Sequence, residues 1–206
     1  MSVYLDIHPQ NPQPRLIARA VEIIKDGGVV AYPSDSGYAL ATKLGSKAGL
    51  ERIRDLRKVD DKHNFTLVCS DFKQLGQYVF VSNSVFRLLK SLTPGPFTFI
   101  LEGTKEVPRL MLNPKKKTVG VRITDHPVVS ALLAELEDTP LVSSTLILPG
   151  QSEPLTNGWE IQDELGHLLD AVIEGEIGSV QPSTVVDLTT DEPEIIRQGA
   201  GEFPSA

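Results

Sequence analysis

Cysteine is almost absent from this sequence of 206 residues, in which Cys69 is the only one. A single cysteine cannot form an internal disulfide, and the apolar run at residues 65–69 predicts that it is a small buried side chain. The four histidines stand apart from one another and from Cys69, without the ligand spacing of a zinc site. We therefore expect no metal site.

Long apolar runs are absent as well. No uninterrupted hydrophobic segment approaches a membrane span, and residues 1–15 contain three prolines and lack the apolar centre of a secretory signal. We therefore expect a cytoplasmic protein with no membrane partner. We predict a single domain over residues 1–206, with its core at about residues 16–199, after a polar, proline-rich N-terminal segment and before a short C-terminal tail.

Several common catalytic and nucleotide-binding motifs are missing. The sequence contains no Gly-x-Ser-x-Gly elbow and no obvious pairing of a serine with a histidine and an acid, which argues against a hydrolase triad. It also contains neither a Gly-x-x-x-x-Gly-Lys-Ser/Thr loop nor a Gly-x-Gly-x-x-Gly loop. If a nucleotide binds, side chains must therefore hold its phosphates.

Positive charge is in the minority, because the formal net charge is −7. Taken alone, this value argues against a nucleic-acid partner, whose affinity depends on neutralising phosphates. The basic residues nevertheless cluster in two segments, at Arg52, Arg54, Arg57, Lys58 and Lys62, and at Lys115, Lys116 and Lys117. Two interpretations follow: a polarised surface with a basic face, or solvated helix and loop faces with acids interspersed.

Helical and extended patterns alternate along the chain. Apolar residues at helical spacing in residues 16–24 end at Gly27, directly before an apolar strand at residues 29–32. Ser46 is placed to cap a helix that runs to Lys58. This alternation predicts an α/β sheet, and the short loops predict some antiparallel pairs within it.

The strand at residues 29–32 runs into a polar cluster made of Ser34, Asp35, Ser36, Gly37 and Tyr38. Because ligands bind at strand ends in α/β proteins, the alternating hydroxyls favour a hydrogen-bonding set that faces one crevice. The alternative is a polar turn to which Gly37 gives backbone freedom. Similar hydroxyls occur at Thr98, at residues 143–145 and at residues 183–184.

Two arginines, Arg122 and Arg197, stand within apolar strand-like stretches, where an unpaired guanidinium is costly. A planar guanidinium at such a position suits a carboxylate or a phosphate ligand. The alternative for each arginine is a salt bridge to an acid such as Asp35, Asp125 or Asp187.

Five motifs occur in the order seen in the YrdC/YciO family. They are Tyr-Pro-Ser-Asp-Ser-Gly-Tyr at residues 32–38, Leu-Thr-Pro-Gly-Pro-Phe-Thr at 92–98, Val-Arg-Ile-Thr-Asp-His-Pro at 121–127, Pro-Leu-Val-Ser-Ser-Thr at 140–145, and Ser-Thr-Val-Val-Asp at 183–187 with Ile-Arg-Gln-Gly at 196–199. The sequence thus resembles that family over about residues 16–199. The run Lys-His-Asn-Phe-Thr-Leu at 62–67 is similar to the YciO branch in particular.

This resemblance implies a twisted, open, mixed α/β sheet with flanking helices and a concave basic face. It also implies binding to double-stranded RNA or tRNA. For catalytic members it implies threonylcarbamoyladenylate synthesis from L-threonine, bicarbonate and ATP, with or without Mg²⁺ and with no tightly bound cofactor.

The resemblance also carries residue roles. By position, it assigns threonine contacts to Ser36, Tyr38, Arg122, Ser143 and Ser183, and nucleotide contacts to Arg57, Lys58, Thr145 and Arg197. The basic segments give the candidate RNA contacts Arg52, Arg54, Lys62, Lys115, Lys116 and Lys117.

Two positions depart from the pattern of the family's synthases. The synthases carry Lys-x-Arg after the second helix, and residues 57–59 match this motif but have Val59 in place of the arginine. The synthases also carry Ser-x-Asn, and residues 145–147 match this motif but have Ile147 in place of the asparagine. Since the loss of one preorganised donor costs about 10²- to 10³-fold in rate, we expect weak synthase activity. The alternatives are an RNA-binding protein without catalysis and a nucleotide-sensing paralogue.

Overall fold

The computed structural model describes residues 1–204, which form ten strands and six α-helices. The strands are β1 (Val3–Asp6), β2 (Val30–Ser34), β3 (Gly37–Thr42), β4 (Thr66–Val68), β5 (Phe97–Glu102), β6 (Thr118–Arg122), β7 (Leu141–Thr145), β8 (Ala171–Glu174), β9 (Thr184–Asp187) and β10 (Glu194–Arg197). The helices are α1 (Pro14–Lys25), α2 (Lys47–Arg57), α3 (Phe72–Tyr78), α4 (Asn83–Leu92), α5 (Pro127–Leu136) and α6 (Gly158–Leu165).

All ten strands join one open, mixed sheet in the order β1-β8-β2-β3-β7-β4-β6-β5-β9-β10. The pairs β1/β8, β8/β2, β4/β6 and β5/β9 are parallel, and the remaining five are antiparallel. The predicted mixed α/β sheet is therefore confirmed. At one edge, β10 pairs only with β9, and its register shifts between Ile195 and Arg197.

The helix boundaries follow from local chemistry. The Ser46 hydroxyl accepts a hydrogen bond from the Gly49 backbone nitrogen at 3.1 Å and so caps α2, as predicted. At the other end, Lys58 takes a left-handed conformation with φ of 51°. This ends α2 and leaves Arg57 on its last turn, beside the sheet.

The N-terminal segment contains a strand that the sequence analysis did not predict. β1 lies parallel to β8, and the buried side chains of Leu5 and Ile7 pack with α1 and α5. The hydrophobic core therefore begins before residue 16.

The helices cover the two faces of the sheet unequally. One face packs against α2, α3, α4 and α6, and this layer includes Cys69, which is buried as predicted. The opposite face is covered by α1 and α5 over β1, β8, β2 and β3. In the order of strands across the sheet, β4 with Val68 is the last strand to contribute to that second layer. Within residues 1–204, no helix covers the same face over β6, β5 and β9.

Among residues 1–204, none of the helices combines the length and the hydrophobicity that crossing a membrane requires.

Candidate functional site

The uncovered half of the sheet carries small polar side chains. Thr66 lies on β4, Thr98 on β5, and Ser183 directly before β9. Gly120 of β6 lies between the two threonines. A Cβ atom at Gly120 would lie 2.9 Å from the Thr66 hydroxyl and 3.1 Å from the Thr98 methyl group. The glycine therefore keeps the floor of a pocket of about 190 Å³ open.

One wall of this pocket joins three elements. Arg57 Nη1 at the end of α2 donates to Ser144 Oγ of β7 at 2.6 Å. His63 Nε2, from the loop before β4, lies 3.0 Å from the same hydroxyl and 3.2 Å from Arg57 Nη1. The three residues therefore form one hydrogen-bonded group that faces the pocket.

The opposite wall is Arg197 of β10. Its Nε and Nη2 atoms donate to the Ser183 carbonyl oxygen at 3.1 Å and 2.8 Å, and Nη2 also reaches the Ser183 hydroxyl at 3.3 Å. Within residues 1–204, Arg197 forms no salt bridge, so the predicted alternative of an acid partner is wrong for this arginine. We call Arg57, His63, Ser144, Ser183 and Arg197 the arginine pocket.

Burial and neighbouring arginines lower the pKa values of the two arginines in the arginine pocket. Burial, followed by the charge of Arg197, lowers the pKa of Arg57 to about 10. Burial and the charge of Arg122 likewise lower the pKa of Arg197. Burial is the larger cause of each shift, and the neighbouring guanidinium adds to it. The pocket is therefore an electropositive cleft suited to an anion.

A second polar group lies at the tip of the β2–β3 hairpin. Arg122 Nη2 donates to Asp35 Oδ1 at 2.5 Å, and Arg122 Nη1 donates to Ser36 Oγ at 3.0 Å. The predicted salt bridge is thus formed, but Arg122 Nε and Asp35 Oδ2 are buried without a partner among the described residues. Because buried polar atoms are normally paired, this group, here called the hairpin site, retains capacity for a polar ligand.

Two hydroxyl pairs lie near these groups. Ser143 Oγ is 2.6 Å from the Tyr32 hydroxyl, and Ser183 Oγ is 2.8 Å from Thr98 Oγ1. Burial raises the pKa of Tyr32 to about 12, so the phenol stays protonated and acts as a neutral partner. Each pair can rotate its hydroxyl protons to donate to a ligand or to accept from one.

Two of the predicted ligand contacts lie elsewhere. The Tyr38 hydroxyl donates to the Ile173 carbonyl oxygen at 2.9 Å and accepts from the Gly175 backbone nitrogen at 3.2 Å, within the layer that contains α6. Lys58 is exposed at the end of α2 and does not line the pocket. The structure therefore brings together Arg57, Thr145, Ser183 and Arg197 but leaves Lys58 and Tyr38 outside the pocket.

The predicted RNA contacts divide into two sets. Arg52 pairs with Asp170 at 2.6 Å, and Arg54 donates to the Leu110 carbonyl oxygen and covers the ring of Phe65. These two arginines therefore hold parts of the fold together.

The second set is Lys62, Lys115, Lys116 and Lys117, all of which are exposed. Asn113 Nδ2 donates to the Lys62 carbonyl oxygen at 3.2 Å and so brings the two segments together, next to Asn64 of the pocket wall. We call these four residues the lysine rim.

Sequence reasoning missed His63 and Asp35 as members of the site. His63 stands inside the run at residues 62–67 that resembles the YciO branch, but its partners Arg57 and Ser144 are 6 and 81 residues away. Asp35 was named in the polar cluster at residues 34–38 and as a possible salt-bridge partner, but not among the ligand contacts. The described residues contain no group of three or more His, Cys, Asp or Glu side chains that would hold a metal ion.

Comparisons with known proteins identify the family. Residues 22–199 match the Sua5/YciO/YrdC family model, whose description reads "Telomere recombination". The chain is 48% identical over 202 residues to the protein YciO of Escherichia coli strain K12, which covers 98% of both chains. It is 30% identical over 187 residues to the threonylcarbamoyl-AMP synthase of Vibrio vulnificus strain YJ016, which covers 89% of this chain and 98% of the synthase.

Solved structures show the same fold. This chain aligns with the crystal structure of E. coli YciO with a TM-score of 0.95, and the alignment covers 98% of both chains. The structure of P. abyssi Sua5 complexed with L-threonine has a TM-score of 0.85 at 22% identity, over 97% of this chain and 57% of that one. The matched family model and the relatives at 48% and 30% identity cover most of the chain. The chain therefore belongs to the Sua5/YciO/YrdC family.

Proposed function

We propose that the protein forms threonylcarbamoyl-AMP and pyrophosphate from L-threonine, bicarbonate and ATP, with a low turnover. The observation that carries this proposal is the pair of open guanidinium groups in the arginine pocket. Arg57 Nη2 and Arg197 Nη1 form no hydrogen bond with residues 1–204, and neither arginine is paired with a carboxylate there. Open cationic donors in a cleft suit the phosphate chain of ATP.

The hairpin site suits an amino acid. Arg122 and Ser36 supply donors for the carboxylate of L-threonine, and Asp35 Oδ2 supplies a free acceptor for its hydroxyl or amine. Gly120 of the pocket floor and Arg122 lie two positions apart on β6 and so share a face of the sheet, which makes the hairpin site and the arginine pocket adjoin. An amino acid and a nucleotide would thus be held side by side.

The chemistry needs no covalent nucleophile. The amine of threonine combines with bicarbonate to give a carbamate and water, and a carbamate oxygen then attacks the α-phosphorus of ATP. The bond from the α-phosphorus to the bridging oxygen breaks, and pyrophosphate leaves. Arg57 and Arg197 screen the negative charge of the phosphates while the two sites align the reacting atoms, which is where positioning and preorganised charge supply rate.

Turnover is expected to be low because two polar side chains of the family's synthases have apolar counterparts here. Val59 and Ile147 stand where the motifs of those enzymes end in arginine and asparagine, and neither residue lines the pocket. The 30% identity with the Vibrio vulnificus synthase supports the reaction class.

The test is pyrophosphate release from ATP by the full chain. We expect release that requires both L-threonine and bicarbonate, and we expect Arg197→Ala to reduce it by about 10²-fold or more, because a charged donor to the phosphates is lost. Arg87→Ala on the exposed side of α4 is the matched control and should keep the wild-type rate. Release no higher than in a protein-free reaction, at high enzyme concentration, would overturn the proposal.

A second candidate function is binding to double-stranded RNA or tRNA at the lysine rim. Asn113 joins the segment of Lys62 to the segment of Lys115, Lys116 and Lys117, and all four lysines are exposed although the whole chain is acidic. Such a local basic patch suits a phosphate backbone.

A further inference from the structure

The histidine of the arginine pocket lies within hydrogen-bond distance of an arginine and a serine. Arg57 Nη1 lies 3.2 Å from His63 Nε2, and a guanidinium nitrogen can only donate a hydrogen bond. In the neutral ring with its proton on Nδ1, Nε2 accepts from Arg57; in the other neutral tautomer, Nε2 donates to Ser144 Oγ at 3.0 Å. Nδ1 forms no hydrogen bond with the described residues and is not fully buried.

The charges around His63 come from three elements. α2 contributes Arg54 and Arg57, β10 contributes Arg197, and the loop before β4 contributes Asp60. The other neighbours, Ser144 of β7 and Phe65, are uncharged. Burial and the three arginines outweigh the single carboxylate and lower the pKa of His63 to about 4.

We propose that His63 is a proton-dependent ligand of the nucleotide phosphates, neutral in the free protein and protonated at a higher pH when ATP occupies the arginine pocket. The phosphate chain adds negative charge between Arg57 and Arg197 and so offsets the repulsion that adds to the effect of burial on the ring. Once Arg57 turns to the phosphates, Nε2 is released from that contact and can carry a proton toward Ser144 Oγ or a phosphate oxygen.

The sign of the pH dependence follows. The His63 pKa is low in the free protein and raised in the complex, so ATP affinity strengthens as the pH falls through the raised value. Between the two pKa values the affinity gains up to about tenfold per pH unit. Above both values, His63 contributes no pH dependence.

The inference rests on the proposed nucleotide site, and NMR tests it without turnover. The ring resonances of His63, assigned by their loss in His63→Gln, are titrated from pH 4 to 8 in the free protein and with saturating ATP. We expect a pKa below the ordinary histidine range in the free protein and a rise of about one unit or more with ATP. An unchanged His63 pKa with ATP bound would overturn the inference.

Calorimetry in buffers of different ionisation enthalpy gives a second readout. The terminal phosphate of ATP itself titrates at a pKa of about 6, so the measured quantity is the proton uptake of the wild type minus that of His63→Gln. We expect a positive difference, and we expect His167→Gln, at an exposed histidine outside the pocket, to behave as the wild type. Equal proton uptake in all three proteins would contradict the inference.

The two proposals fail separately. ATP-linked protonation of His63 without pyrophosphate release would support the inference and overturn the synthase proposal. Pyrophosphate release with an unchanged His63 pKa would support the synthase proposal and overturn the inference. A failure to bind ATP at any pH between 4 and 8 would overturn both.

Discussion

At the residue scale, the family motif at the β2–β3 hairpin contains side chains with different tasks. Ser36 bonds to Arg122 beside the uncovered face of the sheet, whereas Tyr38 belongs to the opposite core layer and bonds to the backbone of β8 and of the residue after it. Strand alternation would place residues two positions apart on the same face, but Ser36 lies in the turn between β2 and β3 and only Tyr38 lies within a strand. The expectation that the alternating hydroxyls face one crevice is therefore wrong for Tyr38. We expect Tyr38 to stabilise the fold rather than to contact threonine.

Replacement of Tyr38 by phenylalanine tests that role. The variant leaves the Ile173 carbonyl oxygen and the Gly175 nitrogen without their phenol partner, so we expect the free energy of unfolding to fall by about 2 kcal/mol. Chemical denaturation measures the change, and the rate of pyrophosphate release per folded molecule should stay unchanged. Tyr4→Phe is the matched control, because that exposed hydroxyl bonds only to the Glu174 carboxylate and should cost about 0.5 kcal/mol or less. A lower affinity for threonine in Tyr38→Phe at wild-type stability would contradict the prediction.

The sequence predicted individual site residues where their local surroundings were unusual. Arg122 and Arg197 stood out because each is a charged residue inside an apolar strand, and both lie at the site. His63 did not stand out, because a histidine in a polar loop carries no signal until α2 and β7 bring Arg57 and Ser144 next to it. Long-range partners of this kind follow from the fold and not from spacing.

At the scale of elements, most helices and strands could be predicted, because each carries its own periodicity and boundary residues. β1 could not, since four residues followed by a proline-rich stretch have too little pattern of their own. Its partner β8 lies about 170 residues later, and a parallel pair leaves no hairpin signal between its strands.

Truncation of Ile7 measures what this N-terminal segment contributes. Ile7 is 1% exposed and packs in the layer of α1 and α5, so Ile7→Ala should lower the free energy of unfolding by about 2 to 4 kcal/mol. Ile195→Ala, on the edge strand at the other end of the sheet, is the matched control, because that side chain is 45% exposed. We expect the control to cost about 1 kcal/mol or less in the same denaturation experiment. A loss of about 1 kcal/mol or less in Ile7→Ala, as small as in the control, would contradict the prediction that the N-terminal segment is part of the core.

At the scale of the whole molecule, the net charge of −7 hides a division of the surface. Of the predicted basic residues, Arg52 and Arg54 are engaged in contacts across the fold. The lysine rim is exposed and its contacts are weaker or local: Lys116 Nζ lies 3.9 Å from Asp187 Oδ2, and Lys117 Nζ donates to the nearby Pro114 carbonyl oxygen. The composition alone could not separate these two sets, because both are charged runs in the sequence.

The lysine rim predicts a salt-dependent affinity for duplex RNA. Combined alanine substitution of Lys115, Lys116 and Lys117 should weaken binding and flatten the plot of log affinity against log salt by about one unit of slope for each lysine that contacts a phosphate. Filter binding or fluorescence anisotropy at several salt concentrations measures both effects. Alanine at Lys25, Lys90 and Lys105, three exposed lysines outside the rim, should leave the slope unchanged. Binding that is insensitive to salt in the wild type would rule out the rim as the RNA surface.

The position of Arg197 on the outermost strand has a consequence for local unfolding. β10 is held to the sheet by β9 alone, its register is interrupted at Ile196, and its opening would remove one wall of the arginine pocket without disturbing the central strands. Edge segments of this kind open at a smaller free-energy cost than the whole domain. A ligand that holds Arg197 would add its binding free energy to that cost, so occupancy of the pocket and attachment of the last strand become one coupled equilibrium.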